Sequence, residues 1–170
     1  MLTEKISQNK DTGRWQVRGG EVHVRWAMTR DLPEVLAIES AWPHSWDEEE
    51  YRLTLAERNV IGMIAEECVR GEPVIAHMVY LLEKNHLEVV KFSVHPSCVR
   101  RGVGSAMIAK LYSKLSSHRR TRIAINVRET NLEGLLFLKA NGFEAIRVDR
   151  GAFDGEDSYR MIRRLPAGEA

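Results

Sequence analysis

Apolar and polar side chains alternate over residues 22–26, and that period of two is typical of a strand with one buried face. Three longer apolar runs follow further along the chain. They predict strands over residues 60–69, 74–83 and 87–94. Only short polar turns separate these runs, so the three strands are expected to form an antiparallel meander.

Four segments carry helical signals. Ser45 followed by Glu48 has the spacing of a capping box, which predicts a helix over residues 46–58. Asn131 is a typical N-cap residue, and Asn141 with Gly142 ends the helix that it starts. Another helix is predicted to begin at Thr29–Pro33. The last is indicated by apolar residues at a spacing of four: Val103, Met107, Leu111 and Leu115.

Further strands are predicted over residues 122–128, 143–149 and 158–165, with a loop over residues 150–157. The fold class is therefore α+β, a mostly antiparallel sheet of about seven strands flanked by four helices. Residues 1–20 are polar and without periodicity, so we expect a flexible N-terminal extension. Residues 21–170 are expected to form a single domain.

Charge and composition argue against several functional classes for this protein. The chain has 170 residues and a formal net charge of +1, which argues against an obligate nucleic-acid binder. Cys68 and Cys98 lie far apart without metal-type spacing, and no apolar leader or membrane-length run is present. We therefore expect a cytoplasmic protein without a bound metal, and with neither nucleic acid nor membrane as a partner.

The most specific signal is residues 94–105, V-H-P-S-C-V-R-R-G-V-G-S. A strand ends there, and a loop with Arg100 and Arg101 opens directly into a helix. Glycines at 102 and 104 let the backbone approach a ligand, and the first amides of a helix have no intrahelical acceptors. This combination predicts a phosphate-binding loop.

Two common phosphate loops do not fit these residues. A P-loop requires Lys and then Ser or Thr after its second glycine, whereas Ser105 and Ala106 follow Gly104. A dinucleotide fingerprint requires a third glycine where Met107 stands. The loop is therefore either another kind of phosphate site or an ordinary glycine-containing turn between a strand and a helix.

The loop resembles the pyrophosphate loop of the GCN5-related N-acetyltransferases (GNAT), V-x-P-x-x-Q/R-x-x-G-x-G/A. Val94, Pro96, Gly102 and Gly104 match, and Val99 replaces the usual Gln or Arg. Residues 131–143, N-L-E-G-L-L-F-L-K-A-N-G-F, are similar to the family's N-x-x-A-x-x-L-Y-x-x-x-G-F. The order of elements is also the family's, so the resemblance extends over residues 21–165.

Three shorter segments are most similar to the ribosomal-protein alanine N-acetyltransferases within that family: W-P-H-S-W, I-N-V-R-E-T-N and E-D-S-Y-R-M. The resemblance implies acetyl-CoA as cosubstrate. The amide of Val94 would orient the acetyl carbonyl, and Asn131 would touch the pantetheine arm. The residues implied for the cofactor are Phe92, Val94, Val99, Arg100, Arg101, Gly102, Val103, Gly104, Ser105 and Asn131.

The catalytic positions depart from the family's pattern. Its general-acid Tyr falls on Leu138 and the Glu of its L-E-V-R strand falls on Asn126, and neither substitute transfers protons. Glu88 stands where the histone-acetylating relatives place a glutamate, and His95 is a second candidate base. Acceptor contacts are expected from Trp42, His44, Trp46 and Phe153.

The implied function is acetyl-CoA-dependent transfer of an acetyl group to a primary amine. A weak proton-accepting site favours the N-terminal α-amine of a protein, such as a ribosomal protein, over the less acidic lysine ammonium. Two alternatives stay open, a small-molecule amine acetyltransferase and a catalytically degenerate acyl-CoA-binding regulator. Both a monomer and a homodimer are compatible with the sequence.

Overall fold

A computed structural model describes residues 6–168 of the protein. The strands are β1 (Ser7–Gln8), β2 (Trp15–Val17), β3 (Gly20–Trp26), β4 (Val60–Glu67), β5 (Val74–Leu82), β6 (His86–Val94), β7 (Arg122–Arg128), β8 (Glu144–Phe153) and β9 (Glu156–Arg164). The helices are α1 (Leu32–Glu39), α2 (Glu48–Leu55), α3 (Val103–Tyr112) and α4 (Leu132–Ala140).

The strands are hydrogen-bonded in the order β1-β2-β3-β4-β5-β6-β7-β9-β8. β6 and β7 run parallel, with Glu88 opposite Ala124. The pairs β1–β2, β2–β3, β3–β4, β7–β9 and β8–β9 are antiparallel. A mixed, mostly antiparallel sheet with four helices confirms the predicted fold class. The expected count of about seven strands is corrected to nine over the described residues.

The two additional strands come from the segment expected to be a flexible extension. Trp15 pairs with Val22 across β2 and β3, and its side chain is buried. β1 and β2 have two and three residues, too few to show a period in the sequence. Residues 1–5, which belong to the same predicted extension, lie outside the described residues. Over residues 6–20 the structure differs from the expectation, because the segment joins the sheet.

Two predicted boundaries also change. The capping box of α2 is formed by Asp47 and Glu50, whose side chains each accept the other's backbone N–H at 2.8 and 2.9 Å, so α2 starts later than predicted. The predicted loop over residues 150–157 is a hairpin instead. Asp154 and Gly155 form its turn, with φ of 52° and 89°. An Asp-Gly pair is the residue choice that such two-residue turns demand.

The chain divides into two compact units. Unit one runs to Tyr80 and resumes over Lys91–Leu111, and unit two comprises Leu81–Val90 and the chain from Tyr112 onward. Each unit has its own buried apolar residues. In unit one they include Ile38, Met63, Ile64, Met78, Met107 and Ile108, and in unit two Leu87, Ile123, Leu138, Phe143, Met161 and Ile162.

Candidate active site

The loop before α3, in unit one, has the backbone geometry of an anion site. The first intrahelical bond of α3 runs from the amide of Ala106 to the carbonyl of Gly102 at 2.9 Å, so the amides of residues 103–105 have no acceptor within the helix. Arg100 and Gly102 have left-handed backbones, with φ of 61° and 89°, and Arg101 between them does not. Left-handed residues on both sides of another residue are the kind of backbone that can present successive N–H groups to an anion. The predicted contact of this loop with a pyrophosphate stays a prediction.

Gly102 is also required by packing. A Cβ at this position would lie 2.8 Å from Cγ2 of Ile6, in the segment that precedes β1. Gly104 is buried in the first turn of α3, and Val103 beside it is 1% exposed. Val99 is 40% exposed and Ser105 half-buried, so both border the loop from its open side.

Arg101 is engaged by the protein itself. Its guanidinium forms an ion pair with Glu67, with 2.6 Å between Nη1 and Oε1, which raises the Arg101 pKa. Its Nε donates to the carbonyl of Arg18 at 2.9 Å, and the amide of Arg18 donates to the carbonyl of Arg101 at 2.8 Å. The side chain thus ties the loop to the chain between β2 and β3. Its predicted contact with phosphate stays a prediction.

The end of β6 is held by Trp42, three residues after the end of α1. Trp42 donates its indole N–H to the carbonyl of Val94 at 2.9 Å. The next amide, that of His95, donates to the carbonyl of Ile75 at 2.7 Å. His95 accepts the amide of Ser97 on Nδ1 and so caps a short 3₁₀ turn, a local role for this candidate base. Phe92 lies half-buried on β6.

A buried polar cluster lies behind this strand end, and sequence reasoning missed it. We call it the Glu39 cluster: Glu39, Tyr51, His77, Lys91 and Ser93. The carboxylate of Glu39, 1% exposed, accepts from Nε2 of His77 at 2.8 Å, from Oγ of Ser93 at 2.6 Å and from Nζ of Lys91 at 2.9 Å. Nδ1 of His77 in turn meets the hydroxyl of Tyr51 at 2.5 Å. With Nε2 of His77 as donor, Nδ1 is the acceptor, so the cluster is satisfied with a neutral imidazole.

The charges in the cluster follow from these bonds. Burial opposes ionisation of Glu39, but hydrogen bonds from His77, Lys91 and Ser93 outweigh it and lower the Glu39 pKa to about 2. Burial also raises the pKa of Tyr51, which therefore keeps its proton. The cluster holds a buried carboxylate, that of Glu39, beside the ammonium of the half-buried Lys91.

Trp46 and His44, two residues expected to contact the acceptor substrate, belong to a segment that the Glu39 cluster contacts. The amide of Trp46 donates to Oε2 of Glu39 at 3.1 Å, and Lys91 lies over the Trp46 ring at 5.4 Å. Nζ of Lys91 also donates to the carbonyl of His44 at 2.8 Å. His44 is exposed and has a left-handed backbone, with φ of 59°. Trp42, His44 and Trp46 are thereby placed together in unit one.

Glu88 and Asn126 meet in unit two. Both carboxylate oxygens of Glu88 accept from Arg160, at 2.5 and 2.6 Å, and Oε2 lies 3.1 Å from Nε2 of His86. The amide oxygen of Asn126 accepts from the same guanidinium at 3.2 Å. A proton placed on Glu88 would break one arm of this pair, so the geometry favours a structural carboxylate. Its role as general base stays a prediction.

Leu138 and Asn131 lie on and beside α4, also in unit two. Leu138 is 2% exposed, so its side chain belongs to the apolar core. Asn131 is exposed, and its side-chain oxygen accepts the amide of Gly134 at 2.9 Å, which confirms it as the N-cap of α4. The cap leaves the amide nitrogen of Asn131 available for the predicted cofactor contact.

Phe153 ends β8 and is held by Arg128. The guanidinium lies 4.5 Å from the ring centroid, and its Nη1 donates to the Phe153 carbonyl at 3.3 Å. Arg128 also pairs with Glu156 at 3.0 Å, and Thr130 donates its hydroxyl to the same carboxylate. These bonds lower the Glu156 pKa. Arg128 therefore orients the acceptor candidate Phe153 across the hairpin turn.

Comparison with known families decides the identity. The sequence model of the acetyltransferase (GNAT) family matches residues 22–143, which include the loop before α3 and all of α4. The chain belongs to the GNAT acetyltransferase family. It is an acyltransferase with acetyl-CoA as cosubstrate, in agreement with the geometry of the loop. A search of curated proteins gave no match.

Solved structures of this fold are similar over most of the chain. The ribosomal-protein-S18-alanine N-acetyltransferase from Escherichia coli superimposes with a TM-score of 0.73 at 18% identity, covering 88% of this chain and 99% of that one. Naa20 from Chaetomium thermophilum, in complex with a bisubstrate analogue, gives 0.71 at 20%, with 84% and 86% covered. The IAA acetyltransferase from Bacillus cereus gives 0.65 at 14%, with 85% and 99% covered. These identities establish the common fold.

Membrane-spanning helices and metal-ligating clusters are both absent from the part of this GNAT protein that the structure describes. None of its helices there is long and apolar enough to cross a membrane. Across residues 6–168, no group of three or more His, Cys, Asp or Glu side chains is placed to hold a metal ion.

Proposed function

We propose that this acetyltransferase acts on the N-terminal α-amine of a protein or peptide. The observation that carries the proposal is the arrangement at Glu88, whose two oxygens are both occupied by Arg160. Leu138 and Asn126 have no transferable proton at the other two family positions. The amine of the acceptor must therefore itself have a low pKa.

Acetyl-CoA supplies an activated acetyl thioester, and transfer forms a C–N bond while the C–S bond breaks. The attacking amine needs a free lone pair. With a pKa of about 7.8, an α-amine is neutral in about one molecule in seven at pH 7, whereas a lysine amine of pKa about 10.4 is neutral in about one in 2500. That difference favours the α-amine without a strong base in the site.

Two of the fold neighbours agree with this acceptor class. The Escherichia coli enzyme is named for an alanine of ribosomal protein S18, and the Naa20 structure contains a bisubstrate analogue. In this chain, the segment with Trp42, His44 and Trp46 is attached to the end of β6 by the bonds of Trp42 and Lys91. A rigid, partly aromatic segment suits a peptide backbone better than a small flexible amine.

The test is a peptide that offers both a free α-amine and an internal lysine. Mass spectrometry should locate the acetyl group on the α-amine. The value of kcat/KM should rise with pH with a midpoint near the amine pKa of about 7.8 and level off about one pH unit higher, because the reactive amine is the neutral form.

The matched control is the same peptide with its α-amine blocked. Turnover should fall at least a hundredfold with the blocked peptide. Acetylation mainly on lysine in the unblocked peptide, or rapid turnover of a small polyamine with none of the peptide, would contradict the proposal.

A further inference from the structure

Lys91 stands in an unusual position on β6. Its side chain is 15% exposed, and its ammonium lies between the backbone carbonyl of His44 at 2.8 Å and the buried carboxylate of Glu39 at 2.9 Å. The same ammonium lies over the ring of Trp46. One side chain thus contacts two residues of the segment 42–46 and the centre of the Glu39 cluster.

The segment is attached at two points to β6, about fifty residues away in the chain, and at a third point to Glu39 at the end of α1. Trp42 bonds to Val94, the carbonyl of His44 bonds to Lys91, and the amide of Trp46 bonds to Glu39, which is itself held by Lys91 and Ser93. His44 has a left-handed backbone without being glycine. Such a conformation persists only where the surroundings hold it in place. Lys91 contacts the carbonyl of that residue directly.

A buried ion pair by itself usually adds little to the free energy of unfolding. Taking both charges out of water is costly, and well-packed apolar residues of similar size often do as well or better. An apolar side chain at position 91 could fill the same space, but it could not donate to the His44 carbonyl. What the ion pair adds to packing is therefore the hydrogen bond from Lys91 to the carbonyl of His44.

We propose that Lys91 is a positioning residue for the acceptor amine: with Glu39 as its counter-charge, it fixes residues 42–46 against the end of β6. The inference rests on the proposed role of that segment in acceptor binding. Because orientation of reactants strongly affects rate, loss of the Lys91 bond should change the kinetic parameters for the acceptor. The loop of residues 99–105 does not depend on this bond, so acetyl-CoA should be unaffected.

The first test is Lys91→Met, with Lys84→Met as the matched control on an exposed lysine in the turn before β6. Lys91→Met should raise the acceptor KM about tenfold, while acetyl-CoA affinity by calorimetry changes less than twofold. Lys84→Met should change neither. An unchanged acceptor KM in folded Lys91→Met would overturn the inference.

A second variant separates positioning from stability. Lys91→Met leaves Glu39 as an unpaired buried charge, which by itself destabilises the fold. In Lys91→Met/Glu39→Gln that charge is gone, so thermal stability should recover while the acceptor KM stays raised. Recovery of both would mean that the pair is only structural. Lys91→Arg keeps the donor and should return the acceptor KM towards the wild-type value.

The proposed function is tested separately by wild-type turnover of the α-amine peptide. If the wild type acetylates another amine instead, the KM of that amine is the one compared among the variants. Failure of the acceptor assignment and failure of the positioning role are therefore distinct results.

Discussion

Trp42 and the carbonyl of Val94 are joined by a hydrogen bond of 2.9 Å between residues 52 positions apart in the chain. The N–H of the same peptide group belongs to His95 and donates to the carbonyl of Ile75. One peptide plane at the end of β6 is thus held from both sides. The amide of Val94, the group proposed to orient the acetyl carbonyl, belongs to the preceding peptide group, so these two bonds hold the backbone directly next to it.

Replacement of Trp42 by Phe should loosen that peptide plane. Phenylalanine keeps an aromatic ring, although a smaller one, but it has no N–H donor, which leaves the Val94 carbonyl without this partner. We expect a stability loss of about 1 kcal/mol and a fall in kcat of about two- to tenfold. Steady-state kinetics and thermal unfolding measure both. Trp26→Phe is the control at a tryptophan 65% exposed, and an equal effect of the two variants would refute the role of the Val94 bond.

Gly102 and Gly71 form a matched pair for the loop before α3. Both have φ of 89°, but a Cβ would meet Ile6 at 2.8 Å only at position 102, with nothing within 4 Å at position 71. Gly102→Ala should destabilise the protein by about 1 kcal/mol more than Gly71→Ala and weaken acetyl-CoA binding. Calorimetry and thermal unfolding provide the measurements. Equal losses in the two variants would mean that the Ile6 contact relaxes freely.

The depressed pKa of Glu39 predicts an acid-sensitive fold. A carboxyl whose pKa is about 2 when folded and 4.5 when free contributes stability that is complete above pH 4.5 and is lost as pH falls towards 2. The melting temperature should therefore drop over that window. Asp31 and Glu66, whose pKa values are also lowered, act in the same direction. Glu39→Gln should flatten the curve relative to wild type, and parallel curves would rule out a contribution from Glu39.

Leu138 tests whether a general acid can be restored. A tyrosine there must enter a core position that is 2% exposed, so overpacking should cost about 1–3 kcal/mol. Leu138→Phe carries the same ring without the hydroxyl and is the control. We expect a higher kcat for Leu138→Tyr than for Leu138→Phe, by at most the 10²- to 10⁴-fold typical of general acids. Equal kcat values would show that the hydroxyl does not reach the reaction.

The elements that the sequence predicted well have local signals. The N-cap at Asn131 and the loop of Gly102 are defined by residue types within a few positions, and both are present in the structure. The predicted start of α2 was wrong because Ser45 and Glu48 have the same spacing as the true capping box, and the predicted loop over residues 150–157 was wrong because the strands continue to a two-residue turn. Asp47 with Glu50, and Asp154 with Gly155, provide the actual cap and turn.

The Glu39 cluster was missed because its members come from distant parts of the chain. His77 is surrounded by apolar residues in β5, and Glu39 follows the apolar residues Val35 and Ile38 on the buried face of α1. A buried His and a buried Glu each need a partner, and that requirement was the available signal. The identity of the partners, Lys91 and Ser93 among them, depends on strand register that residue types do not encode.

The exposed edge strand β8 affects whether copies of this protein associate through their sheets. Nearly every residue of this edge strand is exposed, and Ile146 and Val148 leave apolar surface at the rim of the sheet. Arg147 and Asp149 lie between and beside them, and the register shifts at residues 145–147 and 149–153. Charges and bulges of this kind discourage another strand from docking on an open edge. These features make β8 a poor template for strand pairing between molecules.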